Sequence, residues 1–383
     1  MINSSTEFWN WVFLTIFAVL AVVASPGAKA IETQAKQAYL IDVATGSVLL
    51  EKNSDQLVAP ASMSKLMTVY MVFELLKNGD LSLDDKFLVS KKAWRKGGSK
   101  MFVKVNSQVR VEDLLRGIIV QSGNDACIVF AEGLAGSEEA FADQMTKRAR
   151  ELGLKESTFK NSTGWPHPEH VMSARDIAHL SIRLIRDFPD YYTLFREKNF
   201  TYNKINQGNR NPLLYRDSGA DGLKTGYTEA SGYGLAASAL RGERRVVLVV
   251  NGLPSVRVRS SDSLRLIDWA FRAFENYSLF DKGATVDQVD VWLGTEATVP
   301  LIIERDVKVT LQRRFRRKLT AKIVFTGPIP APITKGTQIA RLVVTAPEFQ
   351  TLSIPLHAGV EVEQRGMFGR LGAALRYMIW GSL

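Results

Sequence analysis

The hydrophobic period of this chain changes once, near Tyr277, and that change divides it in two. Before it, apolar residues recur at helical spacing, as at Leu66, Tyr70, Phe73 and Leu76. After it they alternate in short runs: Val289–Leu293, Val299–Ile303, Val307–Leu311, Leu319–Phe325, Gln338–Val344 and Leu352–Leu356. Pro328, Pro330 and Pro332 punctuate these runs. Alternation with frequent turns predicts strands, so residues 284–363 are expected to form a small β-sandwich-like domain. A length of 383 residues suits two domains, and 46% apolar residues suffice for a core in each.

The first part, residues 31–277, mixes both periods. Ala38 to Leu50 reads as a hairpin turning at Thr45-Gly46. A helix follows Pro60. Val111–Val120 and Glu138–Gly153 are helical runs, and Ser173 starts another that reaches about Arg186. Asp221–Thr228 precedes a strand-like run, Gly232–Leu240, which turns at Arg241-Gly242-Glu243 into Arg244–Val250. Gly232-Tyr233-Gly234-Leu235-Ala236-Ala237 superficially fits a dinucleotide fingerprint. It lies within a strand, without the helix and acidic residue that the fingerprint needs. Ser261–Tyr277 reads as a helix, with Trp269 on it.

Both ends carry signals of their own. Phe8 to Ala24 is uncharged and mostly apolar, and Ala28-Lys29-Ala30 after Pro26-Gly27 is a small-x-small cleavage pattern. Residues 1–30 are therefore expected to be a signal peptide; no basic residue precedes Lys29, so a retained anchor is the alternative. Either way the bulk of the chain leaves the cytoplasm. In residues 364–383, Met367, Phe368, Leu371, Leu375, Met378 and Ile379 share one helical face, with Arg365, Arg370 and Arg376 beside it. That pattern suits an amphipathic helix lying on a membrane surface.

A formal charge of +10 is compatible with nucleic acid, anionic lipid or an acidic polymer as neighbour. No zinc-finger spacing or RNA-binding aromatic signature is present, which argues against nucleic acid. Arg313, Arg314, Arg316, Arg317 and Lys318 read as a solvated strand face, or as a contact for headgroups or wall polymer. The single cysteine, Cys127, sits in an apolar run and reads as a buried hydrophobe. His167 and His170 lack partners at metal-ligand spacing, so no metal site is expected.

The chemistry lies in three short segments. In Pro60-Ala61-Ser62-Met63-Ser64-Lys65, a serine and a lysine stand three apart at a helix start, where their side chains face one point. A hydroxyl needs a nearby base, and a lysine becomes one only when burial or another cation lowers its pKa. Gln121-Ser122-Gly123-Asn124-Asp125-Ala126 places polar atoms between two apolar helices, where they require partners. Lys224-Thr225-Gly226 precedes the strand-like run.

In this order the three segments match the set used by penicillin-binding proteins and β-lactamases. With the flanking residues Leu66-Met67-Thr68, Asp221-Gly222-Leu223 and Tyr227-Thr228, the chain closely resembles the D-alanyl-D-alanine carboxypeptidases among the low-molecular-mass penicillin-binding proteins. Gly123 fits that family, where β-lactamases usually carry aspartate, and no Glu-x-x-Leu-Asn loop is found. The resemblance implies an α+β fold: a β-lactamase/transpeptidase-like catalytic domain, then the small all-β domain, then the amphipathic helix. It implies that Ser62 attacks the bond between the two terminal D-alanines of a peptidoglycan stem pentapeptide, forming an acyl-enzyme. Lys65 would be the base, its pKa depressed by Lys224, and Ser122 the proton relay. Asn124, Lys224, Thr225, Gly226, Tyr227 and Arg259 would bind substrate; Tyr227 would share the oxyanion through its N–H with Ser62, and Arg259, ahead of the helix containing Trp269, would hold the terminal carboxylate with Thr225. No cofactor is implied. β-Lactams would acylate Ser62 and inhibit. The implied location is the periplasmic side of the bacterial inner membrane, peripheral through the tail. A DD-endopeptidase or a β-lactamase would use the same residues on another bond, and a non-catalytic penicillin-binding sensor or scaffold would not need the nucleophile.

Overall fold

The computed structural model describes residues 31–369. The expected signal peptide, residues 1–30, and most of the expected amphipathic tail, residues 370–383, lie outside them. Strands β1 (Gln37–Asp42) and β2 (Val48–Lys52) form the expected antiparallel hairpin, with Gly46 in the left-handed region at φ +72°. A 3₁₀ turn, Ala61–Ser64, leads directly into α1 (Lys65–Asn78). Then come α2 (Val111–Ile119), α3 (Asn124–Ala135), α4 (Glu138–Glu151) and α5 (Ala174–Asp187). Ser137 and Ser173 cap α4 and α5, each hydroxyl accepting a backbone N–H at 3.0 Å.

The chain returns to the sheet as β3 (Ala220–Thr228), β4 (Gly232–Arg241) and β5 (Arg244–Leu253). The sheet has five antiparallel strands in the order β2-β1-β5-β4-β3, so β3, the first strand to return, forms one edge and β5, the last, lies at the centre. Every residue from Val246 to Val250 is fully buried, which requires cover on both faces. Val247 and Val249 join the main core with residues of α1 and α5. Val246, Leu248 and Val250 point to the other face, where α6 (Val256–Ala273) packs with Leu266, Ile267 and Ala270.

Helix α6 departs from the sequence reading. It starts at Val256, capped by Ser255, whose Oγ accepts the Val258 N–H at 3.1 Å, and it ends at Ala273. Residues Phe274–Phe280 form strand β6 instead of continuing the helix, because they pair with β9 (Val307–Gln312). A local apolar pattern cannot register that distant partner.

The other strands of the all-β part are β7 (Thr285–Trp292), β8 (Thr298–Ile302), β10 (Thr320–Val324), β11 (Ile329–Pro330), β12 (Gln338–Thr345) and β13 (Leu352–Ala358). They make a sheet in the order β10-β12-β13-β8-β7-β11. A second core, with Val299, Leu301, Val309, Ile354 and Leu356, lies within this all-β part. All six alternating runs fall on its strands. Arg313–Lys318 is an exposed 3₁₀ turn between β9 and β10, not a strand face. Arg244 ties the central sheet to the junction of α6 and β6: its Nε donates to Asp42 Oδ2 at 2.8 Å, and its Nη1 to the Ala270 and Phe274 carbonyls at 2.9 Å.

Candidate active site

The site lies where the 3₁₀ turn, the α2–α3 junction and the edge strand β3 meet. A cavity of about 390 Å³ opens there, lined by Ser62, Ser122, Thr225, Arg259, Ser99 and Arg210 among others. Gly226 lets β3 approach: a Cβ there would lie 2.9 Å from the Pro60 carbonyl oxygen and 3.2 Å from Met63 Cγ. That closeness brings Thr225 to the same cavity as Ser62.

Lys65 Nζ donates to Ser62 Oγ at 2.8 Å and makes a very short bond to the Thr163 carbonyl. The lysine is fully buried. Burial pushes its pKa down to about 8, with Arg210 and Lys96 adding to the effect. The sequence reading assigned this shift to Lys224. The structure puts burial first, and the like charge bears mainly the other way: Lys224, also buried, is held well below its ordinary value by burial and then by Lys65. Desolvation thus brings this amine's titration close to the neutral range.

Ser122 is buried at φ +65°, and Ala61, next to the nucleophile, has φ +50°. Left-handed backbone costs a non-glycine residue about 1–2 kcal/mol. Two such residues flank this cavity, where strain is commonly held by surrounding structure. Ser122 Oγ lines the cavity and has no protein hydrogen-bond partner among the described residues. Asn124 heads α3, with Nδ2 donating to the Gly97 carbonyl at 2.9 Å. Asp125 anchors this junction. Its Oδ1 accepts the Met101 and Ala126 N–H groups at 2.9 and 3.0 Å, and its Oδ2 those of Phe102 and Val103 at 2.9 and 3.3 Å.

Lys224 Nζ reaches the Thr225 carbonyl at 3.3 Å. Tyr227 is half-exposed and stacks on Tyr233, ring centroids 4.3 Å apart. Arg259 sits inside α6, not ahead of it, and is 7% exposed. Its Nε is buried without a protein partner, and its guanidinium lies 5.8 Å from the Tyr233 ring centre. The cavity therefore gathers Ser62, Ser122, Thr225, Gly226, Tyr227 and Arg259, with Lys65 and Lys224 buried behind it and Asn124 at the adjoining helix start. Sequence reasoning missed Arg210, which reaches the cavity from a loop and donates to Ser99 Oγ at 2.5 Å. It also missed Thr163, which acts through its backbone and so has no side-chain signature. Two guanidinium groups and no carboxylate line the cavity, which suits an anionic ligand. No cluster of potential metal ligands occurs among the described residues.

A serine held by a desolvated amine beside a cationic pocket defines a serine acyl-transfer enzyme acting on a substrate with a carboxylate. The comparisons name the family. Residues 23–255 match the D-alanyl-D-alanine carboxypeptidase family, and residues 274–364 match the C-terminal domain of penicillin-binding protein 5. The chain belongs to that carboxypeptidase family. It is 39% identical over 367 residues to D-alanyl-D-alanine carboxypeptidase DacC of Escherichia coli, covering 94% of this chain and 92% of that one. It is 35% identical over 368 residues to DacA of Haemophilus influenzae, covering 94% of each. The crystal structure of penicillin-binding protein 5 from Haemophilus influenzae superposes with a TM-score of 0.79 at 34% identity, covering 88% of this chain and all of that one.

Proposed function

We propose that Ser62 is the nucleophile, and Lys65 the base, of a serine-type D-Ala-D-Ala carboxypeptidase. The enzyme removes the terminal D-alanine from peptidoglycan stem pentapeptides through an acyl-enzyme and is inhibited by β-lactams. The observation that carries the assignment is the buried Lys65 amine, 2.8 Å from Ser62 Oγ with its pKa lowered to about 8.

The reaction follows from these positions. The neutral Lys65 amine takes the Ser62 proton as Oγ bonds to the carbonyl carbon between the two D-alanines. The resulting oxyanion is stabilised by the Ser62 and Tyr227 backbone N–H groups. Arg259 and Thr225 hold the terminal carboxylate, and Asn124 holds the substrate amide on the acyl side. As the C–N bond breaks, the Lys65 ammonium gives the proton taken from Ser62 to Ser122 Oγ, which passes its own to the departing amine, so both side chains return to their starting state. Water then cleaves the Ser62 ester. A β-lactam acylates Ser62 in the same way, but its amine remains tethered.

We place the catalytic part at residues 31–277 and the all-β part at 284–363, in an exported protein on the periplasmic side of the inner membrane. The tail, residues 364–383, would rest on the membrane surface. Met367 and Phe368, at its described start, are 71% and 86% exposed. No helix among the described residues is long and apolar enough to cross a membrane.

The decisive experiment incubates the purified protein with a peptide ending in D-Ala-D-Ala and follows free D-alanine, with Ser62→Ala alongside. Release by the parent only is expected, together with labelling of the parent only by a fluorescent penicillin. Equal release by both proteins would exclude Ser62.

A further inference from the structure

The Thr163 carbonyl is the only protein acceptor for Lys65 besides Ser62 Oγ among the described residues. Its position is fixed from both sides. Asn161 Oδ1 accepts the Thr163 and Trp165 N–H groups at 3.2 and 3.0 Å. Gly164, at φ +76°, lies so close to Ala61 that a Cβ there would overlap the Ala61 carbonyl. On the other side, Ser162 is fully buried, and its carbonyl accepts Thr68 Oγ1 at 2.7 Å. The Ser162 N–H and hydroxyl both donate to Glu138 Oε1, at 3.2 and 2.9 Å.

Glu138 is unusual in its setting. It is the first residue of α4, where an acidic side chain favours the helix end but is normally solvated. Here it is 6% exposed, with Oε2 3.5 Å from Lys92 Nζ. A carboxylate taken out of water is costly unless its oxygens are bonded. Both bonds to Oε1 come from the residue immediately before Thr163.

We propose that Glu138 is a positioning residue for acylation: through Ser162 it fixes the Thr163 carbonyl, and so the direction of the Lys65 lone pair. A neutral amine has two N–H bonds and one lone pair. With one N–H directed at the Thr163 oxygen, the lone pair can face Ser62 Oγ–H. If the carbonyl swings away, the amine is free to rotate, and the proton loses its aligned acceptor. Glu138 touches neither Ser62 nor substrate. The proposal rests on Lys65 being the base.

The test compares Glu138→Ala, Glu138→Gln, Ser162→Ala and Lys65→Ala, with rates counted per folded molecule by circular dichroism. Glu138→Ala should lower both kcat on the peptide and the rate of penicillin acylation by about tenfold or more, with KM within about twofold, the pattern of a lost transition-state contribution. Glu138→Gln keeps an oxygen that accepts both Ser162 bonds, and should stay within about threefold of the parent. A merely structural role would lower the melting temperature without that split or that rescue. Parent rates in folded Glu138→Ala, or equal loss in Glu138→Ala and Glu138→Gln, would overturn the proposal. If Glu138→Ala does not fold, Ser162→Ala decides: it removes one of the two bonds and should slow acylation about threefold, and a parent rate there would overturn it. Lys65→Ala at the parent rate would mean that the base assignment has failed. Lys65→Ala inert beside Glu138→Ala at the parent rate would reject only the role of Glu138.

Discussion

Replacing Lys65 by methionine should make the protein more stable at neutral pH while abolishing acylation. Folding lowers this group from its ordinary 10.5 to about 8, chiefly through burial. At roughly 1.4 kcal/mol per pKa unit, holding the lysine in place costs about 3 kcal/mol at neutral pH. Below pH 8 the folded and unfolded chains both bind the proton, and the cost is constant. Between about 8 and 10.5 only the unfolded chain binds it, so the parent gains stability as pH rises. Above that window the cost is gone. Methionine is of similar length and carries no proton, so its advantage is full below pH 8 and fades towards 10.5. Relief of the like charge on Lys224 acts in the same direction. Against this, the variant loses the bonds to Ser62 Oγ and to the buried Thr163 carbonyl, a loss of about 1–2 kcal/mol. The net gain is about 1–2 kcal/mol at pH 7, which corresponds to a rise of about 2–8 °C in melting temperature. At pH 10.5 the variant should be the less stable of the two. Calorimetric melts of both proteins at the two pH values measure this. A difference that does not change with pH, or a parent more stable at pH 7, would refute burial as the cause of the lysine's chemistry.

Three further outcomes follow from the same geometry. Penicillin acylation should rise with pH and reach half its plateau near pH 8, where the Lys65 amine loses its proton, as read by stopped-flow labelling. Asp125→Asn turns an NH₂ towards two of the four backbone N–H groups that the carboxylate accepts, so urea melts should show a loss of about 3 kcal/mol and acylation should slow as the Ser122–Asn124 junction loosens. Arg259→Ala should reduce kcat/KM on the free-acid peptide about 30-fold or more, the loss of a buried charge pair, and should largely remove the preference over the C-terminal amide; an unchanged preference would show that the carboxylate binds elsewhere.

What was legible in the sequence depended on range. Ser62 and Lys65 meet because both lie within one helical turn, and Ser122 and Asn124 share one inter-helix junction. Such local spacing survives folding. The alternation after Tyr277 likewise marked strands, because a half-buried strand repeats every two residues whatever its partner. Features set by distant contacts were not legible. Residues 274–277 look helical until β9 offers them a ladder. Arg210 becomes a site residue only when its loop folds onto Ser99. The lowered pKa of Lys65 was expected, but its cause was misassigned, since burial is a property of the whole core and the neighbouring lysine only of the motif.

The site is assembled from choices that are each unfavourable locally. Ala61 and Ser122 take left-handed backbone, Lys65 and Lys224 are buried, and the guanidinium of Arg259 is largely withdrawn from water. None of these follows from propensity, and together they cost several kcal/mol. They persist because a large core on both faces of the sheet over-determines the elements that carry them. In the proposed mechanism each cost also has a chemical use. The backbone at Ser122 presents its hydroxyl to the cavity, and an exposed Lys65 would remain protonated and could not accept the Ser62 proton. Relaxing any one of them should raise stability and lower turnover together, and for Lys65 the two effects share a single cause, its removal from water.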